Sequence, residues 1–307
     1  MDPDRIELAQ IPTRLEKVKG IFPNGTLFVK RDDLTGSTLT GNKIRKLEYL
    51  FYEAQSLGKS TVLTCGGIQS NHCRATAIAA AQLGMKSILY LRTDDPPSPG
   101  TSHSGNLKLC HQVGAEIRYI SVSDYQNRTK IMDEAAGEEG YVIPEGGSNA
   151  LGAWGYIRAV DEMIGQWDTP PSSIVVATGS GGTLAGLLIG LRRRKLSIPT
   201  HGICVCDDAQ YFQEIVSKIS QEATSRWPDL PIVLEEEVSI VEGYMGRGYS
   251  LSTPEESADI TNVAKRTGLV LDPVYTGKAF RALLKEPDRF GERPLFIHTG
   301  GVFGFLA

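Results

Sequence analysis

The chain has 307 residues, 41% hydrophobic and 22% charged, with a formal net charge of -4 and a pI near 5.8. That composition suits a packed core in one large or two modest domains, and it excludes the basic footprint that nucleic acid or an anionic membrane requires. No apolar run approaches the roughly 20 residues of a membrane span, and an odd number of cysteines predicts free thiols in a reducing, cytoplasmic setting.

The opening MDPDRIELAQIPTRLEKV carries acids and lacks an apolar stretch, so it does not read as a secretory signal. The first chemical question arises at TGSTLTGNKIRKLEY, residues 35–49. Gly36 and Gly41 bracket four residues and a lysine follows, as in a phosphate-binding P-loop. Asn42 separates Gly41 from Lys43, however, and Ile44 stands where such a loop needs a hydroxyl for magnesium. Asn42 reads instead as an N-cap, and Ile44, Leu47, Leu50, Phe51, Ala54 and Leu57 form an apolar stripe ending at Gly58. Lys43 then falls in the first turn of a helix, where the dipole disfavours an ammonium ion. From this helix alone it is either a desolvated nucleophile able to form a Schiff base or a surface lysine beside Arg45 and Lys46.

Further along, TVLTC at 61–65 reads as a strand that runs through CGGIQSNHCR into a helix beginning near Asn71. KSILYL at 86–91 and AEIRYI at 115–120 are strands, and TDDPPSPGTSHSGN, residues 93–106, is a polar loop that either borders a cleft or simply connects. A strand at 141–143 leads to the turn PEGGSNALG. SIVVAT at 173–178 enters TGSGGT, Thr178 to Thr183, before a small-residue helix. Glycines there let successive N–H groups converge at a helix N-terminus, with Ser180 and Thr183 as added donors, which suits a phosphate monoester. No G-x-G-x-x-G with a downstream acid is present, so a dinucleotide is disfavoured. The run Arg192 to Lys195 is a solvated helix end, and Cys204 and Cys206 in GICVC are buried thiols on a strand rather than metal ligands. EESADITNVAKRTG at 255–268 is a helix and PLFIHT at 294–299 a strand. Strands separated by helices predict an α/β class with mostly parallel sheets and ligands at the strands' carboxyl ends.

A lysine near the N-terminus, a Ser-Asn turn and a later Gly-rich cup together resemble the D-cysteine desulfhydrase and 1-aminocyclopropane-1-carboxylate (ACC) deaminase family of pyridoxal-phosphate enzymes, fold type II. The resemblance runs from RDDLTGSTLTGNKIRKLEYL to HTGGVFGFLA, nearly the whole chain. It implies that Lys43 holds pyridoxal 5'-phosphate, that Ser70 lies near the substrate carboxylate and α-carbon, and that Asn71 bonds the cofactor's ring oxygen. It assigns Thr178, Gly179, Ser180, Gly181, Gly182 and Thr183 to the phosphate cup, Tyr275 to the ring and substrate, and Tyr249 to a second active-site tyrosine. His72 is given a place in the substrate lining. Deaminases of the family carry a glutamate after the tyrosine of DPVY and a leucine before the late Gly-Gly; here those cofactor-side positions are Thr276 and Thr299, which point to the desulfhydrase branch.

The implied reaction is β-elimination of a small β-substituted amino acid, D-cysteine first, giving pyruvate, ammonia and hydrogen sulfide. Alternatives are L-cysteate or another β-substituted D-amino acid, with Arg45 and Arg74 as cations for an anionic substituent, then ACC deamination, then a phosphate-binding protein without activity. The implied architecture is two three-layer αβα domains with the cofactor between them, residues 1–48 and 158–307 forming the larger and 49–157 the smaller, in a homodimer without metal.

Overall fold

The computed structural model describes residues 1–22, 25–98, 103–248 and 251–307. Its strands, in chain order, are β1 Leu15–Val18, β2 Leu27–Lys30, β3 Thr61–Gly67, β4 Lys86–Arg92, β5 Glu116–Ile120, β6 Gly140–Val142, β7 Ser173–Thr178, β8 Thr200–Cys204, β9 Ser239–Val241 and β10 Pro294–Ile297. They form two sheets, one ordered β1-β2-β10-β7-β8-β9 and the other β5-β4-β3-β6. Every pairing is parallel except that of β1 with β2. Parallel sheets are covered on both faces, so their strands read as apolar runs rather than alternations, and all six residues of β7 are buried. The strands that the sequence did not announce, β1, β2 and β9, are three or four residues long.

The helices are α1 Lys43–Ser56, α2 Asn71–Gln82, α3 Gly105–Gln112, α4 Arg128–Ala136, α5 Trp154–Ile164, α6 Gly182–Arg193, α7 Ala209–Arg226, α8 Pro254–Thr267, α9 Thr276–Lys285, α10 Pro287–Phe290 and α11 Val302–Phe305. One core cluster joins α1, α5 and α6 to Val62 of β3, Ile174 and Val176 of β7, and Leu295 and Ile297 of β10, so these helices lie against both sheets. Close approach sets the α5–α6 contact: a Cβ on Gly186 would stand 2.4 Å from the Ala153 carbonyl oxygen. The expected domain limits at 48 and 158 fall inside α1 and α5, two helices of this shared cluster.

Several local expectations change. Leu57, expected in the α1 stripe, is 58% exposed beyond the helix end, whereas Arg45, Lys46 and Glu48 on the supposedly polar side are buried. The run Arg192 to Lys195 is the exposed to half-exposed end of α6, as expected, and its three arginines add surface ion pairs, Arg192 with Glu237, Arg193 with Asp2 and Arg194 with Asp161. The polar loop gives way to α3 at Gly105, and its residues 99–102 lie outside the described residues. Among the described residues no helix is long and apolar enough to cross a membrane, and no group of His, Cys, Asp and Glu could hold a metal.

Candidate active site

A cavity of about 800 Å³ opens where the carboxyl ends of β3, β4 and β6 face those of β7, β8 and β10. Its wall takes Ser70 beyond β3, Arg92 at the end of β4, Glu145 beyond β6, Gly179 beyond β7, Cys206 beyond β8 and Thr299 beyond β10. Parallel sheets gather functional groups at that end because the strand-to-helix turns all emerge there.

Lys43 is the first residue of α1, half-buried in the wall, with no hydrogen-bond or ion-pair partner among the described residues. Burial pushes its amine from 10.5 down to about 8, with the Glu145 charge opposing. The approach to the helix is stapled: Gly41 has φ +98°, a conformation that favours glycine, and Asn42 N donates to the Thr299 carbonyl at 3.1 Å. Asn42 does not cap in the expected manner. It adopts helical φ/ψ, which turns its side chain away from the first turn, and Nδ2 donates instead to Thr183 Oγ1 at 3.0 Å.

Ser70 is the N-cap of α2, its Oγ accepting from Cys73 N at 3.2 Å. The orientation of Asn71 follows from a relay. Arg74 Nε donates to Asn106 Oδ1 at 2.8 Å, so Asn106 must present Nδ2 on its other side, and that group donates to Asn71 Oδ1 at 3.0 Å. Asn71 Nδ2 is left as a donor on the cavity wall, where it suits an acceptor such as a ring oxygen.

The cup is assembled from both sides. Thr178 ends β7, Gly179 packs under the Tyr275 ring so closely that a Cβ there would stand 3.1 Å from Cε1, and Gly181 has φ +75°. Ser180 Oγ meets Ser148 Oγ at 2.9 Å, and Lys46 Nζ donates to Ser148 Oγ and to the Gly146 carbonyl, each at 3.2 Å. Side chains at Gly146 or Gly182 would fill the cradle, since a Cβ there would lie 2.4 Å from Ser180 Oγ or 2.5 Å from Ser148 Oγ. Converging N–H groups, two hydroxyls and the start of a twelve-residue helix fit a phosphate monoester, and an unpaired amine in the same cavity fits its aldehyde.

Of the residues expected here, Lys43, Ser70, Asn71, His72, Thr178, Gly179, Ser180, Gly181, Thr183, Tyr275 and Thr299 share this wall. Gly182 lies just behind it against Ser148. Thr276 is fully buried off the wall: its hydroxyl donates to Asp272 Oδ1 at 2.6 Å and accepts from Asp272 N at 2.8 Å. Tyr249 lies outside the described residues. Arg45 and Arg74 are not substrate-facing cations. Arg45 is buried against Asp32 and Glu162, and Arg74 is consumed by Asn106 and the Thr38 and Thr40 carbonyls. Beside Lys43, the wall carries the guanidinium groups of Arg92 and Arg128, each 4.8 Å from the Tyr125 ring centroid. Arg128 pairs with Glu145 at 3.1 Å, and Tyr125 OH donates to the same carboxylate at 2.8 Å. The PEGGSN turn signalled Glu145 and Ser148, and Arg92 follows from the strand-end rule; Tyr125 and Arg128 had no sequence signal.

Two α/β layers whose shared cavity holds a desolvated lysine and a Gly-rich turn fit a vitamin B6 enzyme of fold type II. The chain belongs to the family described as pyridoxal-phosphate dependent enzyme, which it matches over residues 6–300, and its cofactor is pyridoxal phosphate. It is 42% identical to a mitochondrial bifunctional D-cysteine desulfhydrase/ACC deaminase of Arabidopsis thaliana, over 97% of this chain and 78% of that one. It is 41% identical to a Thermotoga maritima protein provisionally named an ACC deaminase, over 99% and 98%. The crystal structure of an ACC deaminase homologue superposes with a TM-score of 0.88 at 36% identity, over 99% of this chain and 94% of that one.

Proposed function

We propose that this enzyme removes the β-substituent and amino group of a small amino acid, D-cysteine foremost, releasing pyruvate, ammonia and hydrogen sulfide with the uptake of one water. The observation that carries this reading is Lys43, an amine without a partner among the described residues, lowered by burial to about 8, in the wall that also holds the Gly-rich cradle. Lys43 would hold the cofactor, with Ser180, Ser148 and the N-terminus of α6 at its phosphate, Asn71 Nδ2 at its ring oxygen and Tyr275 against its ring. When bound, the cofactor supplies an electron sink for the pair left on the α-carbon. Ser70 Oγ and the N-terminus of α2 orient the substrate carboxylate. Lys43 Nζ, once released, takes the α-proton, and Tyr275 OH passes a proton towards the departing sulfur. Water is excluded as the four-stranded sheet's side closes on the other, a motion that accords with division into the two domains expected from the sequence.

D-cysteine is preferred over ACC because neither Thr299, on the wall, nor Thr276, buried behind it, supplies a carboxylate to the cofactor side. Opening a carbon ring calls for a carboxylate at the pyridine nitrogen, and the nearby Asp272 carboxylate is already engaged by the N–H groups of Val274, Tyr275 and Thr276. Arg92 and Arg128 favour a second reading, an anionic β-substituent such as the sulfonate of L-cysteate. The decisive assay offers D-cysteine, L-cysteine, L-cysteate and ACC in parallel and measures pyruvate or 2-ketobutyrate with sulfide or sulfite. Release of sulfide and pyruvate fastest from D-cysteine supports the reading; turnover of ACC alone overturns it. Assembly as a homodimer is part of the same proposal and is checked by sedimentation.

A further inference from the structure

His72 enters the cavity wall from the first turn of α2, only 3% exposed, and its ring is fixed by hydrogen-bond bookkeeping. The Thr64 hydroxyl has one proton, which goes to the Ile143 carbonyl at 2.8 Å. Thr64 Oγ1 also lies 2.8 Å from His72 Nε2. In that contact the oxygen must accept, so Nε2 carries the imidazole proton and Nδ1 holds a lone pair. Burial first, then the charges of Lys43 and Lys46, push the ring's pKa well below its usual value and keep it neutral, opposed by a hydrogen bond from the ring to the Pro144 carbonyl. Nδ1 is buried and has no hydrogen-bond partner among the described residues. Buried acceptors are nearly always satisfied, so an orphan on the wall of a reaction cavity marks a contact that forms during turnover. Lys43 supplies the matching half: a donor amine on the same wall without a partner among the described residues, and the charge that acts most strongly on this ring.

We propose that His72 is a positioning residue for Lys43, its Nδ1 accepting a hydrogen bond from the Lys43 amine whenever that amine is not joined to the cofactor. This rests on Lys43 being the cofactor-holding base. The bond would steady the amine between proton removal and recapture of the cofactor, and by favouring the ammonium it would act with Glu145 against the burial that lowers Lys43. Lys46, from the next turn of α1, is pushed well below its ordinary value by burial and then by the Lys43 charge.

The test uses the holoenzyme. The rising limb of kcat against pH reports the base in the substrate complex. His72→Leu should move that limb down by about one pH unit, the size expected for losing a hydrogen bond to a charged group. Thr64→Val keeps the ring but releases its tautomer, and should move the limb the same way by less. His72→Asn places a carbonyl oxygen near the Nδ1 position and should restore it. Independently of turnover, long-range 15N–1H spectra of histidine-labelled holoenzyme should show His72 protonated at Nε2 and bare at Nδ1, the signal being assigned by its loss in His72→Asn. A protonated Nδ1, or a limb unmoved in His72→Leu, overturns the proposal. Borohydride reduction followed by peptide mapping separates the two levels: label elsewhere than Lys43 overturns the base assignment itself.

Discussion

Lys43 and Arg45 sit within one turn of α1, and the two cations meet opposite surroundings. Arg45 is enclosed: Nε and Nη2 reach Asp32 at 2.9 and 2.8 Å, Nη1 reaches Glu162 at 2.9 Å, and Tyr156 OH and Lys30 complete the carboxylates at 2.5 Å each. Burial alone would raise the Asp32 carboxyl, but Arg45, Tyr156 and Lys30 hold it below the ordinary range, and the Arg45 guanidinium is held well above its own. Lys43 is half-buried with only the Glu145 charge to favour its ammonium form, so its proton is loosely held. Desolvation is common to both; the partner decides whether a buried cation becomes a fixed strut or a reactive amine.

The contrast breaks most visibly at the reactive end. Lys43→Met should lower the elimination rate by about 10³-fold or more and abolish borohydride-stable cofactor labelling, with the circular dichroism spectrum unchanged. Next in size, Arg45→Met leaves Asp32 and Glu162 buried without their main countercharge and should cost about 3–5 kcal/mol of unfolding free energy, read in denaturant titrations. A smaller effect of opposite sign belongs to Lys43→Met again. The folded amine titrates at about 8 and the unfolded one at 10.5, so below pH 8 both states are protonated and the burial penalty is full. Between those values the unfolded chain binds the extra proton and stability rises with pH. The substitution should therefore stabilise the cofactor-free protein at pH 7, on the order of 1–2 kcal/mol after allowance for solvent screening, with the advantage fading as pH rises from 8 and gone above 10.5. Asp32 and Glu162 behave in reverse: their contribution is present above the unfolded values of 3.8 and 4.5 and is lost as pH falls through the lower folded ones. Smallest, Ser180→Ala removes one hydroxyl from the cradle and should weaken cofactor binding about fivefold, measured by absorbance titration.

Much of this was legible in the sequence because it is local. A strand, a Gly-rich turn and a helix start are consecutive in SIVVATGSGGTLAG, and Lys43 follows its turn directly, so the elements and the residues at their junctions could be read together. The α1 surface was misread because burial is set by distant partners: Asp32 and Glu162 lie 13 and 117 positions from Arg45. Arg74 failed in the same way, its partner Asn106 lying 32 positions on. Thr276 was placed at the cofactor by its neighbour Tyr275, but the turn that brings the N–H groups of 274, 275 and 276 onto Asp272 points its hydroxyl inward. Tyr125 and Arg128 reach the wall only through packing of the four-stranded sheet.

The bond from Asn42 to Thr183 joins the residue beside Lys43 to the first turn of α6. It works as a caliper. With Lys43 and the start of α6 as the two jaws of the proposed site, the bond fixes the span between them, so that pyridoxal lacking its phosphate would be gripped at one end alone.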